Sequence, residues 1–159
     1  MKEKLKAIKI VLFDLDGVLI NDSNDENRID EIIRLLRDFC DKMNELGILV
    51  GVITGREADE VTGKIGEIEN IKILTSSIDK VSLAQKIIDE NNLQCENILF
   101  IGDELFDLPL LQNCGVSAAP KSARREVKRA VDFILDSSGA GGILTAIYNL
   151  LKNRNTDAG

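Results

Sequence analysis

Short, dense apolar runs alternate along this chain with segments in which apolar side chains recur every three or four positions. The runs Ile8–Phe13, Ile48–Ile53, Ile71–Leu74 and Ile98–Ile101, with shorter ones near Val116–Ala118 and over Phe133–Leu135, are too continuous for strands with one wet face. They predict strands covered on both sides, as in a parallel sheet. Between the first two, Ile29, Ile32, Ile33, Leu36, Cys40 and Met43 fall on one helical face, and Gly47 stops the helix before the next strand. A second helix is predicted after Ser77 or Asp79 with Leu83, Ala84, Ile87 and Ile88, and a third near Ser122 with Val127 and Ala130. The last runs from Ile143 to Leu151, after the turn Gly139-Ala140-Gly141-Gly142, and fades into a polar, frayed tail over Asn153–Gly159. Alternation of strand and helix is the pattern of an α/β fold, a parallel sheet sandwiched between helices. No repeat, linker or low-complexity stretch divides the chain, so residues 1–152 are expected to form one domain and 153–159 a tail.

Composition narrows the function classes. At 159 residues, one core can bury most of the chain without disulfides or metals as staples. Apolar residues make up 44% and charged residues 30%, and no apolar run approaches the roughly 20 residues that span a bilayer. Met1–Lys6 alternate in charge instead of forming a signal sequence, which predicts a cytoplasmic protein with no membrane partner. A net charge of −7 argues against a nucleic-acid binder. Cys40, Cys95 and Cys114 form no CxxC pair, and the reading they favour is buried small hydrophobes. The chain has no histidine, which removes Ser-His-Asp and Cys-His catalysis and histidine-ligated zinc. Chemistry is left to carboxylates, Lys, Arg, hydroxyls, backbone and metal.

In an open parallel sheet, ligands bind beyond the carboxyl ends of the strands. Asp14 and Asp16 follow the first predicted strand, where Gly17 lets the backbone turn, and i, i+2 spacing would bring both carboxylates out together. Thr54, Gly55 and Arg56 follow the second strand, Lys80 opens the helix after the third, and Gly102-Asp103 leads to Asp107 after the fourth. Clustered carboxylates repel unless a cation joins them. Mg²⁺, with its preference for oxygen ligands, suits Asp14 and Asp103, with the Asp16 carbonyl as a third. Lys80, the Thr54 hydroxyl and the Gly55 N–H are placed to receive phosphoryl oxygens. Asp107 either orients Lys80 or the metal's waters, or is a solvated carboxylate at a helix start.

Asp14-Leu15-Asp16-Gly17-Val18, Thr54, Lys80 and Gly102-Asp103 with Asp107 occur in the order of the four motifs of the haloacid dehalogenase superfamily, which this sequence resembles from about Ile8 to Asp107. The resemblance implies a Rossmann-like phosphatase in which Asp14 attacks phosphorus to form an aspartyl phosphate. Asp16 would act as acid and then base, and Mg²⁺ would serve as cofactor. The stretches around Arg56, Gly102–Leu110 and Gly139–Gly142 are similar to the 3-deoxy-manno-octulosonate 8-phosphate phosphatase branch. That branch implies a small phosphorylated sugar or sugar acid as substrate, a capless fold, a tetramer, and Arg56 on the substrate carboxylate. Two segments depart from it. Asn21–Asn27 is a polar turn-forming run where the branch has a β-hairpin flap, and Ala140 and Leu144 stand where it has arginines. The spacing of the motifs leaves no room for a cap domain. Other readings are a catalytically idle module kept for binding or oligomerisation, and a phosphatase for another small ester.

Overall fold

In the computed structural model, which describes residues 1–21 and 28–156, six strands form one parallel sheet. They are β1 (Ile10–Phe13), β2 (Leu49–Ile53), β3 (Ile71–Leu74), β4 (Ile98–Ile101), β5 (Val116–Pro120) and β6 (Phe133–Leu135). Their lateral order is β3-β2-β1-β4-β5-β6. The helices are α1 (Lys2–Lys6), α2 (Ile29–Glu45), α3 (Glu60–Gly66), α4 (Lys80–Glu90), α5 (Leu108–Asn113), α6 (Arg125–Ala130) and α7 (Ala140–Lys152).

The two-residue period of each strand divides the core between two layers. Val11, Phe13, Val50, Val52, Leu99 and Ile101 pack with α2, α3 and α7 on one face. Ile10, Leu12, Ile53, Ile98 and Phe100 pack with α4, α5 and α6 on the other. The inner strands are therefore buried on both faces, as their sequences predict. The edge strand β3 is only half-buried, and Ile134 of β6 is exposed.

Boundaries shift where local chemistry overrides hydrophobic pattern. β1 and β2 start later than predicted, at Ile10 and Leu49. The helix predicted from Ile143 begins at Ala140, because Gly139, at φ +88°, makes the turn and Gly141 and Gly142 lie inside the helix. A Cβ on Gly142 would sit 2.6 Å from that of Ser137, so the glycine allows the first turn to approach the preceding loop. Of the cysteines, Cys40 is buried and Cys114 partly so, but Cys95 is exposed, contrary to the expectation of three buried small hydrophobes.

Along the chain, β1 leads outward to β2 and β3 on one side, then α4 crosses back to β4, which leads to β5 and β6. The order reverses between β1 and β4, and the crevice at their carboxyl ends is where such sheets bind ligands. Only α3 and β3 lie between Thr54 and Lys80, and only α4, a 3₁₀ turn at Cys95–Asn97 and β4 between Lys80 and Asp103, so neither interval holds a cap domain. The run Asn21–Asn27, where a reduced flap is expected, falls from residue 22 onward outside the described residues, as does the end of the tail after residue 156. Arg154, in the first part of that tail, donates to the carbonyls of Leu5 and Ile8 at 3.3 and 2.6 Å. Among the described residues, no helix is long and apolar enough to cross a membrane.

Candidate active site

Asp14 is the first residue past β1, and strand alternation puts it on the side of Ile10 and Leu12, facing α4 and α5. A charged residue stands at the start of each, Lys80 as the first residue of α4 and Asp107 immediately before α5. The Lys80 Nζ lies 3.0 Å from Asp14 Oδ1 and 2.7 Å from Asp107 Oδ1. Asp14, Lys80 and Asp107 are 5%, 2% and 0% exposed, so a lysine is sealed between two carboxylates. Asp107 ends a single 3₁₀ turn, Leu105–Asp107, just before α5. Its Oδ2 accepts the N–H groups of Asp103 and Glu104 at 3.0 and 3.1 Å. One side chain thereby holds Lys80 in place and folds the loop that presents Asp103.

Carboxylate oxygens of Asp14, Asp103 and Asp107 lie within 4.8 Å of one another. Burial, then the charge of Asp107, pushes the Asp14 carboxyl well above its ordinary range, with Lys80 opposing. Burial, then Asp107 and Glu104, pushes Asp103 up to about 6. For Lys80 burial acts to lower the pKa, but Asp14 and Asp107 outweigh it and hold the ammonium above its ordinary value. Three carboxylates against one lysine leave excess negative charge in a dry place, which a divalent cation would neutralise.

The donors fit such an ion. Asp103 Oδ1 is buried and has no hydrogen-bond partner among the described residues. Gly17, at φ +88°, lies so close to the Asp103 carboxylate that a Cβ there would overlap it. Both oxygens of Asp107 are occupied by Lys80 and backbone N–H groups, which marks it as a support. Asp103, with its unpartnered Oδ1, and Asp14, whose contacts to Lys80 and the Leu15 N–H both fall on Oδ1, are the carboxylates that could take a cation, an all-oxygen pair suited to a hard one.

Asp16 has different surroundings. β1 stops at Phe13, and Gly17 N–H bonds the Ile20 carbonyl at 2.7 Å, so strand alternation does not extend to Asp16. Its exposed carboxylate is clasped by Arg56, with Nη2 to Oδ1 at 2.7 Å and Nε to Oδ2 at 3.2 Å. Arg56 Nη1 also donates to Asp59 at 3.1 Å. Thr54 is buried at the end of β2, and its Oγ1 accepts the Arg56 N–H at 3.1 Å. Gly55 is exposed beside it. The structure thus gathers all the predicted residues on one sheet edge in two groups: Asp14, Lys80, Asp103 and Asp107 inside, and Asp16, Thr54, Gly55 and Arg56 at the mouth. The sequence reading passed over Asp59. Its signal was present, since Asp59-x-x-Thr62 is a helix-capping pattern and Asp59 accepts the Thr62 N–H at 2.9 Å.

Comparisons with known proteins identify the family and the fold. Residues 62–147 match the family described as haloacid dehalogenase-like hydrolase, a stretch that holds Lys80, Asp103 and Asp107 and begins after Asp14. The chain is 27% identical over 155 residues to the 3-deoxy-D-manno-octulosonate 8-phosphate phosphatase of Haemophilus influenzae, covering 95% of this chain and 86% of that protein. A cobalt-bound structure of the deoxy-D-mannose-octulosonate 8-phosphate phosphatase from the same organism is similar with a TM-score of 0.78 at 25% identity, over 95% of this chain and 91% of that one. The Moraxella catarrhalis 3-deoxy-D-manno-octulosonate 8-phosphate phosphatase, in complex with magnesium ion, phosphate ion and KDO, gives 0.79 at 21% identity, over 96% and 90%. At that identity the likeness is one of fold.

Proposed function

The chain belongs to the haloacid dehalogenase-like hydrolases and is a phosphatase, and from that premise we propose that it hydrolyses the phosphate monoester of a sugar or sugar acid through a phosphoryl-Asp14 intermediate, with Mg²⁺ as cofactor. The observation that carries this reading is the buried Asp14–Lys80–Asp107 chain beside the unpartnered Asp103 Oδ1, at the crevice between β1 and β4.

Each residue has a task that its position supports. An oxygen of Asp14 attacks phosphorus, and the bond from phosphorus to the ester oxygen breaks. Asp16, nearer solvent, gives a proton to the departing alkoxide; it then takes one from the water that attacks the phosphoryl-Asp14, which releases phosphate and regenerates the carboxylate. To do either, Asp16 must exchange its Arg56 partner for substrate. Lys80 offsets the phosphoryl charge, while the Thr54 hydroxyl and Gly55 N–H hydrogen-bond its oxygens. Asp14 and Asp103, with the Asp16 carbonyl, would hold the cation, which supplies charge neutralisation at the transferring phosphoryl group. Arg56 would meet the carboxylate of a sugar acid once it leaves Asp16.

The similar Haemophilus and Moraxella phosphatases support octulosonate 8-phosphate as the first ester to try. A module kept only for its fold gives no reason to bury a lysine between two aspartates, an arrangement costly to desolvate. Hydrolysis of a panel of monoesters, including octulosonate and nonulosonate phosphates, would be measured with Mg²⁺ or EDTA. Turnover that requires Mg²⁺ and falls at least about 10³-fold in Asp14→Asn is expected. Equal rates from wild type and Asp14→Asn would remove Asp14 from the chemistry, and preference for a different ester would replace the sugar acid.

A further inference from the structure

The described residues expose six large hydrophobic side chains to 38% or more, and four of them bracket the Lys80–Asp107 ion pair. Ile78 (64%) and Val81 (38%) flank Lys80 at the start of α4, and Leu105 (43%) and Phe106 (49%) precede Asp107. Lys80 Nζ lies 6.0 Å from the centre of the Phe106 ring and 3.0 Å from Asp14 Oδ1. The ring is therefore within 9.0 Å of the attacking carboxylate. Ile78 also borders Gly55, where a Cβ would come within 3.1 Å of its side chain.

Lys80 and Asp107 are buried with their ion pair, but nothing in that burial requires their apolar neighbours to be exposed. In water, each costs free energy in proportion to its area. Exposed apolar groups gathered around a polar centre are the composition of a ligand cleft. We propose that Phe106, with Leu105, Ile78 and Val81, forms an apolar rim that receives the C–H face of the substrate's alcohol portion. The phosphatase would thereby select esters with an extended or ring-shaped leaving group over small polar ones. This deepens the proposed function and rests on it: a phosphoryl group at Asp14 directs its ester oxygen toward the mouth, where the rim begins. A second copy of this chain is the less favoured occupant. The four side chains offer roughly 400 Å², taking about 200 Å² for a fully exposed large one, whereas a stable interface covers about 800 Å² per partner.

The test compares kcat and KM of the wild type with those of Phe106→Ala, Phe106→Leu and Ile78→Ser. Octulosonate 8-phosphate, phenyl phosphate and glycerol 3-phosphate are the substrates, with Mg²⁺ present, and light scattering follows the oligomeric state. Phe106→Ala is expected to raise KM about tenfold for the first two esters with kcat nearly kept. Its effect on glycerol 3-phosphate should be under twofold, Phe106→Leu should restore most of the loss, and Ile78→Ser should act in the same direction as Phe106→Ala. A uniform fall in kcat for all three esters would make Phe106 a prop for Lys80 and overturn the rim, as would no change at all. Dissociation of a wild-type oligomer by Phe106→Ala would assign the patch to chain association instead. A wild type inactive on every ester overturns the phosphatase reading and the rim with it, whereas activity without selectivity overturns the rim alone.

Discussion

Asp103 carries a strain that its neighbours impose. Its carboxyl is pushed up to about 6, by burial first and then by Asp107 and Glu104, and its Oδ1 has no hydrogen-bond partner among the described residues. A carboxylate kept in that state without a cation should weaken the fold, as functional groups in active sites often do. Asp103→Asn removes the like-charge repulsion while keeping the shape. In EDTA, the variant is expected to match or exceed wild-type stability in urea, yet lose Mg²⁺-dependent hydrolysis. A clear drop in the urea midpoint would show instead that Asp103 supports the fold as a charge. Lys80 is the opposite case. Replacing it with Met leaves Asp14 and Asp107 buried with no cation, at a cost on the order of 3 kcal/mol, and the same urea titration should show that loss. At this scale the sequence was informative because the motif residues lie within a few positions of a strand end or a helix start. What it could not show was that Asp14 and Asp16 occupy different surroundings, since that depends on β1 stopping at Phe13 and on Arg56 reaching across from the β2 loop.

Elements set where these side chains stand, and the informative case is α3. No helix was predicted over Glu60–Gly66 because Val61 and Ile65 supply little apolar periodicity, yet Asp59 and Thr62 form a reciprocal capping box there. The same Asp59 carboxylate holds Arg56, so a helix cap and a mouth residue share one group. Asp59→Ala should cost about 1 kcal/mol through the lost cap and free Arg56 on one side. Asp59→Asn keeps a good cap but not the ion pair. If Arg56 depends on that pair, KM for an ester with a second anionic group should change in both variants while stability falls only in the first. Identical KM values in wild type and Asp59→Asn would separate the cap from the mouth. At α7 the glycines read as a turn, and they do make one at Gly139, but Gly141 and Gly142 lie inside the helix, and Gly142 comes so close to Ser137 that it admits no side chain. Tertiary packing of that kind leaves no periodic signature. Asn21 joins this element to the β1 loop, donating to the Gly17 carbonyl at 3.3 Å and accepting the Gly139 N–H at 2.7 Å once its amide is oriented to satisfy both. Gly17→Ala, strained at φ +88° and overlapping Asp103, should therefore damage metal binding more than hydrophobic packing. Calorimetric titration with Mg²⁺ would show it, and wild-type affinity in Gly17→Ala would refute the close approach.

For the whole molecule, the alternating pattern was enough to read a parallel α/β domain, because both faces of the inner strands are covered and their apolar runs are continuous. The lateral order was implied only through resemblance, since no residue pattern states that α4 crosses back over β1. That crossing is what makes the site. It brings Lys80 from one half of the sheet to Asp14 at the centre and Asp107 in the other half, so that the charges meet only in the complete fold. Metal, proton and stability are thereby linked. The unfolded chain titrates Asp103 near the ordinary aspartate value of about 3.9, whereas the folded, metal-free protein does so at about 6. Between those values the native state holds a proton that the unfolded chain has released. This group therefore favours folding most below about pH 4, and that contribution is lost as the pH rises through 6. Asp14, shifted in the same direction by burial and Asp107, adds to the trend. A cation on Asp14 and Asp103 must displace those protons, so its affinity, and the stabilisation it brings, grow with pH. Thermal melts at fixed Mg²⁺ are expected to show little shift in Tm near pH 5 and a larger one above pH 7, with both shifts abolished in Asp103→Asn. A shift that stays constant across this range, or one that persists in Asp103→Asn, would place the cation away from these carboxylates.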